Sequence, residues 1–146
     1  MTDADHERWE QYAAAILHIE VEPGTWVALN GPSAVDQLPL GSPLFLLTAW
    51  DPFGEKRSAE ANAKANSLME AELRSVCKLV ARAVGRDART GYGEDGFAVA
   101  GVGLAEVLDV ARRFRQGAIY QVVDDTLRIL PCSGEGGDAV GLPRRR

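Results

Sequence analysis

Between Leu44 and Val123 the spacing of apolar residues changes from strand-like to helical and back, twice over. Leu44-Phe45-Leu46-Leu47-Thr48-Ala49-Trp50 is a short, nearly unbroken apolar run, as in a strand buried on both faces. Asp51-Pro52-Phe53-Gly54 then turns the chain. Ser58 stands where an N-cap is needed, with Glu60 in the first turn beyond it. Ala61, Ala65, Leu68, Met69, Leu73 and Val76 follow at helical spacing, which predicts a helix from Ser58 to about Val76 with one buried face. Leu79 to Gly85 reads as a strand, Arg86 to Asp95 as a polar loop, and Gly96 to Val102 as another strand. Leu104, Val107, Leu108, Ala111 and Phe114 recur at helical spacing with Gly117 at the stop position. Ala118 to Val123 and Thr126 to Leu130 are two strands that Asp124-Asp125 joins as a hairpin.

The order strand, helix, strand, strand, helix, strand over residues 44–123 predicts an α+β fold, a ferredoxin-like split βαβ sandwich. In that reading the strands near Leu44 and Gly96 lie adjacent and parallel, and both helices cover one face of the sheet. Ahead of this core the sequence predicts a helix over Asp3 to Ala14, strands at Ile16 to Val21 and Thr25 to Asn30, and a loop from Gly31 to Pro43. Behind it come the hairpin strand and, from Cys132, a glycine-rich and charged tail. The expected organisation is one domain over residues 1–131 and a flexible tail over 132–146.

The net charge of -5 and a pI near 5.0 disfavour nucleic acid as a partner, because that affinity comes mostly from Lys and Arg neutralising phosphates. The one basic run, Arg144-Arg145-Arg146, reads as a solvated terminus. Cys77 and Cys132 are far apart and outside any CxxC spacing, so they read as free thiols in a reducing compartment. Met1 to Gln11 is acidic and polar where a signal peptide needs basic then apolar residues, and no apolar run has membrane-spanning length. The expected location is cytoplasmic, without membrane contact.

Four separated pieces of this pattern resemble a bacterial family, the domain of unknown function 3293. They are Thr48-Ala49-Trp50-Asp51-Pro52 at a strand end; Ser58 with Asn62 and Asn66 in the first long helix; Glu94 with Gly96-Phe97 opening a strand; and Ala111-Arg112-Arg113-Phe114 with Gln116 closing the second helix. The chain departs from the family pattern at Asp51, where Asn precedes the proline, and around Gly91-Tyr92-Gly93, where the pattern has a Trp. The resemblance implies a cytosolic bacterial protein and brings no activity, cofactor or catalytic residue to carry over.

Asn62 and Asn66 are four apart on the predicted helix and share a stripe with Met69 and Leu73, so both amides face the core. Two uses fit. The amides can satisfy loop backbone around residues 51–54, or they can line a polar ligand pocket with Thr48, Trp50, Asp51 and Glu60. A second polar group, Glu94 with Arg112, Arg113 and Gln116, is expected at the opposite edge beside Arg86, Asp87 and Arg89. There the arginines either fork onto an anion or pair with acidic neighbours and a helix C-terminus.

The remaining motifs are weak. Gly91 to Gly96 spells GxGxxG but precedes a strand, which rules out a dinucleotide fingerprint. Gly101-Val102-Gly103 reads as a tight turn into the second helix, the alternative being an anion site on its N-terminus. His6 and His18 have no paired spacing, and no Cys/His set or nucleophile elbow is present, so neither a metal nor a cofactor is expected. Tyr92, Trp26 and Tyr120 are aromatic candidates for a ligand shelf, but aromatic residues on strands are more often core or sheet surface.

Three functional expectations follow. The first is a small binding or interaction module with a polar edge pocket. The second is an enzyme using Glu60 or Glu94 with an arginine on a small anionic or nucleotide-like substrate. The third is a protein-partner subunit or homodimer, pairing through an edge strand such as Thr126 to Leu130 or through the open face of the sheet.

Overall fold

The computed structural model describes residues 12–35, 40–51, 55–123, 126–132 and 142–143. Its strands are β1 (Ala15–Glu22), β2 (Thr25–Ala28), β3 (Leu44–Leu47), β4 (Leu79–Asp87), β5 (Gly93–Ala100), β6 (Ala118–Val123), β7 (Thr126–Pro131) and the two-residue β8 (Leu142–Pro143). Its helices are α1 (Ala59–Val76) and α2 (Leu104–Arg113). Of the predicted N-terminal helix only 12–14 lie among the described residues, and these are helical. The Pro52-Phe53-Gly54 turn, the Asp124-Asp125 hairpin turn and Arg144 to Arg146 lie outside them, as does most of the predicted tail.

The strands form one sheet in the order β2-β1-β4-β5-β3-β6-β7-β8, and every neighbouring pair is antiparallel. The architecture is α+β. Strands β3 and β5 are adjacent as expected, but they run in opposite directions, with Phe45 opposite Val99 and Leu47 opposite Phe97. This corrects the predicted parallel pair. The α1 crossover brings β4 back in the direction of β3, and the tight β4–β5 hairpin must then reverse it. Consequently β5 begins where β3 ends.

The β4–β5 hairpin also takes in much of the predicted 86–95 loop. Arg86 pairs with Gly93 and Gly85 with Glu94, because backbone ladder bonds do not require apolar side chains. The connection closes on Asp87, whose carboxylate accepts from the Arg89 and Thr90 N–H groups, and on Gly91 with φ of +76°.

Both faces of the sheet are covered, which is why β3 is apolar without alternation. On the helix side Phe45, Leu47, Phe97, Val99 and Ile119 meet Met69 and Leu73 of α1 and Val107, Val110 and Ala111 of α2. On the other side Leu17, Ile19, Leu44, Leu46, Ala98 and Val122 are joined by Leu29 and Leu40 from the segment after β2. Cys132 is buried in the helix-side core. The Ser58 hydroxyl caps α1 by accepting from the Ala61 N–H at 3.1 Å, as its position predicts. Leu68 and Val76, expected on the buried face of α1, are 57% and 41% exposed. The buried stripe is instead Asn62, Asn66, Met69 and Leu73.

Gly96 permits the close approach of β5 to the end of β3. A Cβ there would stand 2.6 Å from the Leu47 carbonyl oxygen and 3.0 Å from the Thr48 Cβ. Backbone cannot yield as a flexible side chain does. Gly96→Ala is therefore expected to destabilise the protein by about 1–3 kcal/mol, measured as a lowered midpoint in urea unfolding with an unchanged slope.

Candidate functional site

The site is built where β3 leaves the sheet. Carried two residues past Leu47 and Phe97, the β3–β5 register would set Ala49 opposite Asp95. Those two backbones do not meet. The Asn66 amide stands between them, its Oδ1 accepting from the Ala49 N–H at 2.9 Å and its Nδ2 donating to the Asp95 carbonyl at 2.8 Å. One buried side chain thus replaces the missing rung of the ladder. The Thr48 hydroxyl donates to the same Asp95 carbonyl at 2.5 Å and accepts from the Trp50 N–H at 3.0 Å, so the chain bends outward directly after the sheet.

One helical turn earlier, Asn62 fixes Asp51. Its Oδ1 accepts from the Asp51 N–H at 2.9 Å, and its Nδ2 donates to Asp51 Oδ1 at 2.9 Å and to the Arg57 carbonyl at 3.4 Å. The Arg57 N–H donates to the same carboxylate oxygen at 2.9 Å. These bonds hold Asp51 at φ of +42°, in the left-handed region that a residue with a side chain enters only when its surroundings compensate. Between the two uses open to the amides in the sequence, the structure displays the backbone network: both are spent positioning residues 48–51.

What this network presents is a compact polar surface. The second Asp51 oxygen, Oδ2, accepts from the Tyr92 hydroxyl at 3.4 Å, and that hydroxyl accepts from Trp50 Nε1–H at 3.0 Å. Glu94 shares a face of β5 with Gly96 and lies opposite Gly85 on β4. Burial first, and then the Asp51 charge, push the Glu94 carboxyl up to about 7. Burial also raises the Tyr92 phenol, as do the charges of Asp51 and Glu94, against the opposing bond from Trp50. Tyr120 is raised by burial, with Tyr12 and Glu94 adding to the effect; its hydroxyl donates to the Tyr12 carbonyl at 2.8 Å, and the two rings meet edge to face at 5.9 Å. Tyr92 thus stands at the Asp51 carboxylate, while Tyr12 and Tyr120 pack against each other.

The sequence divides these residues between two edges, and the structure does not. Because β5 runs antiparallel to β3, Glu94 comes to the same edge as Asp51. Gln116 comes there too, donating through Nε2 to the Trp50 carbonyl at 3.4 Å. The predicted arginines take no part. Arg112 Nε donates to the Cys132 carbonyl, and Arg113 pairs with Glu72 and Asp109. Glu60 is exposed on the first turn of α1, without a hydrogen bond to the others among the described residues. Tyr92 was not among the predicted site residues. The available signal was its place at 91–93, where the resembled pattern carries another aromatic residue.

Among the described residues no group of three or more His, Cys, Asp or Glu could hold a metal ion, and no helix is long and apolar enough to cross a membrane. Residues 47–119 match the family described as "Protein of unknown function (DUF3293)". The chain belongs to that family. No curated protein and no solved structure matches it. The part of the chain matched to DUF3293 contains Asp51, Asn62, Asn66, Tyr92, Glu94 and Gln116, while Tyr12 and Tyr120 lie outside it. The DUF3293 span thus coincides with the two crossovers and the edge they build; β1, β2 and β7 extend the sheet on either side.

Asn66→Ala in this DUF3293 protein strips the buried Ala49 N–H and the Asp95 carbonyl of a partner. The expected loss is about 1–3 kcal/mol of stability, with exchange protection of the Ala49 amide falling more than that of Val99 in the mid-sheet. Glu94 has a folded pKa raised above its unfolded value, so its contribution is fully favourable below about 4.3 and is lost as pH rises through about 7. Glu94→Gln is accordingly expected to be more stable than the wild type at pH 8, on the order of 1–2 kcal/mol after solvent screening. The advantage should vanish toward pH 4.5 when urea unfolding is compared across that range.

Proposed function

We propose that this chain is a small ligand-binding module of the bacterial cytosol, its site the edge where the end of β3, the start of β5 and the start of α1 converge. The frame we assign to it is the ferredoxin-like split βαβ sandwich. The central order β4-β5-β3-β6, with α1 and α2 packed on one face, supports that reading.

The observation that carries the proposal is the treatment of Asp51. The Asn62 amide, the Arg57 N–H and a positive φ are committed to holding this carboxylate, whose charge acts on a second, partly buried one. A fold gains nothing in stability from placing two like charges together with no cation between them. Such an arrangement suits a site rather than a scaffold. A second reading, general acid–base catalysis, is favoured by the Glu94 carboxyl near 7. Its expected arginine is missing, since neither carboxylate is ion-paired to an arginine among the described residues.

The test is thermal unfolding against nucleotides, amino acids, amines, sugar phosphates and divalent metals. A ligand at about 100 times its dissociation constant adds roughly 2.7 kcal/mol and raises the midpoint by several degrees. The expected result is a stabilising compound whose effect disappears in Asp51→Asn, a variant able to keep the bonds to Asn62 and Arg57. If no compound shifts the midpoint, the small-molecule site is overturned and a protein partner takes its place.

A further inference from the structure

We propose that the β1–β2 wing of the sheet is an acid-sensitive element with His18 as its trigger: a proton on this imidazole loosens β1 and β2 and leaves the β3–β5 junction closed. The wing lies outside the residues matched to the family and outside the edge site, so this inference is independent of the binding reading.

His18 is the residue at which the three strands of the wing meet. It pairs with Ala28 of β2 on one side and with Val84 of β4 on the other, so the three side chains share one face of the sheet. Leu17 and Ile19 point to the opposite face and are buried there with Leu29 and Leu40. Both partners of His18 are buried, Ala28 at 5% and Val84 at 8% exposure. The imidazole Nδ1 is buried as well and has no hydrogen-bond partner. On a neutral ring that atom is a spare acceptor, and the hydrogen sits on Nε2. On a protonated ring it becomes an N–H donor with nothing to receive it, at a cost comparable to a lost hydrogen bond.

The charges on that face do not relieve the cost. On β4, Arg82 and Arg86 flank Val84. Arg86 bonds to the Gly91 carbonyl at 3.3 Å, lies so close to Gly93 that a Cβ there would stand 2.9 Å from Nη1, and has no ion-pair partner among the described residues. On β1, Ile16 is apolar, and Glu20 accepts from the Gly24 N–H at 3.0 Å and stands 4.0 Å from Arg82. Arg82 in turn stacks over the Trp26 ring of β2 at 5.6 Å. On β5, Asp95 lies beyond Val84 and is exposed. Burial first, and then the Arg86 charge, hold the imidazole below its ordinary range. The stability that neutral His18 confers is therefore fully present above about 6.5 and is lost as pH falls below it. The loss is local because of the strand order: β2 reaches the sheet only through β1, and β1 only through β4.

The experiment is NMR on the full-length chain, in two parts. The first titrates the His18 ring resonance, told apart from His6 by its loss in His18→Gln, and expects a midpoint below about 6.5. The second follows native-state amide exchange at pH 7 and pH 5, expressed as protection relative to the unfolded chain at each pH. Protection of the Ile19 and Val27 amides, which face each other across β1 and β2, is expected to fall about tenfold between the two, while that of Val99 in β5 holds. His18→Gln, whose side chain stays neutral, should flatten the response of Ile19 and Val27. A ring that titrates at or above its ordinary value overturns the proposal from the wild type alone, even where the variant does not fold. So does an equal fall at Ile19 and Val99, which is global weakening, or a fall at Ile19 that persists in His18→Gln.

Discussion

One buried amide continues the sheet past the point where β3 and β5 part. Asn66 reaches from α1 into the gap where β3 and β5 part, and supplies the donor and the acceptor that the diverging strands no longer offer each other. Without it the buried Ala49 N–H would have no partner and the Asp95 carbonyl would keep only the Thr48 hydroxyl, at a cost of about 1–3 kcal/mol. Everything beyond that rung follows from it. Thr48 turns the chain outward, Trp50 and Asp51 leave the plane of the sheet, and Asn62, one helical turn from Asn66, receives them. The same device recurs at the other end of the sheet. There Asn30 accepts from the Leu17 N–H and donates to the Ala15 carbonyl, extending β2 beyond its last residue.

This arrangement separates two tasks that are often mixed. The asparagines are neutral, buried and satisfied, so they can fix geometry at little electrostatic cost. The charges are placed where the network leaves off, at half-buried positions. Desolvation and mutual repulsion raise Glu94, and the fold carries that penalty instead of relieving it with one of its arginines. Helix α2 uses its terminal arginines for a different purpose: Arg112 and Arg113 tie it to the strand end at Cys132 and to α1 at Glu72.

Much of the frame was legible from local signals. The Ser58 cap, the inward stripe through Asn62, Asn66, Met69 and Leu73, and the apolar β3 are read from residues a few positions apart. They depend on interactions of that range. Asn62 and Asn66 could be marked as core-facing amides for the same reason. Their partners could not be named, because the Asp95 carbonyl is 29 residues from Asn66 and becomes its neighbour only through strand pairing. Leu68 shows the converse error: its chemistry suggested burial, but its angular position on α1 leaves it at the surface.

The sequence by itself determined most of the strands and helices, where α1 begins, that both asparagines point inward, and that the chain carries a net charge of -5. Only the tertiary structure decided which residues meet. The reversal of β5 against β3 brings Glu94 and Gln116 to the edge that already held Thr48, Trp50 and Asp51, and it brings Tyr92 with them. Strand direction is set by how a hairpin closes and by which rungs the ladder can fill. Those are long-range constraints that no local spacing of residues records.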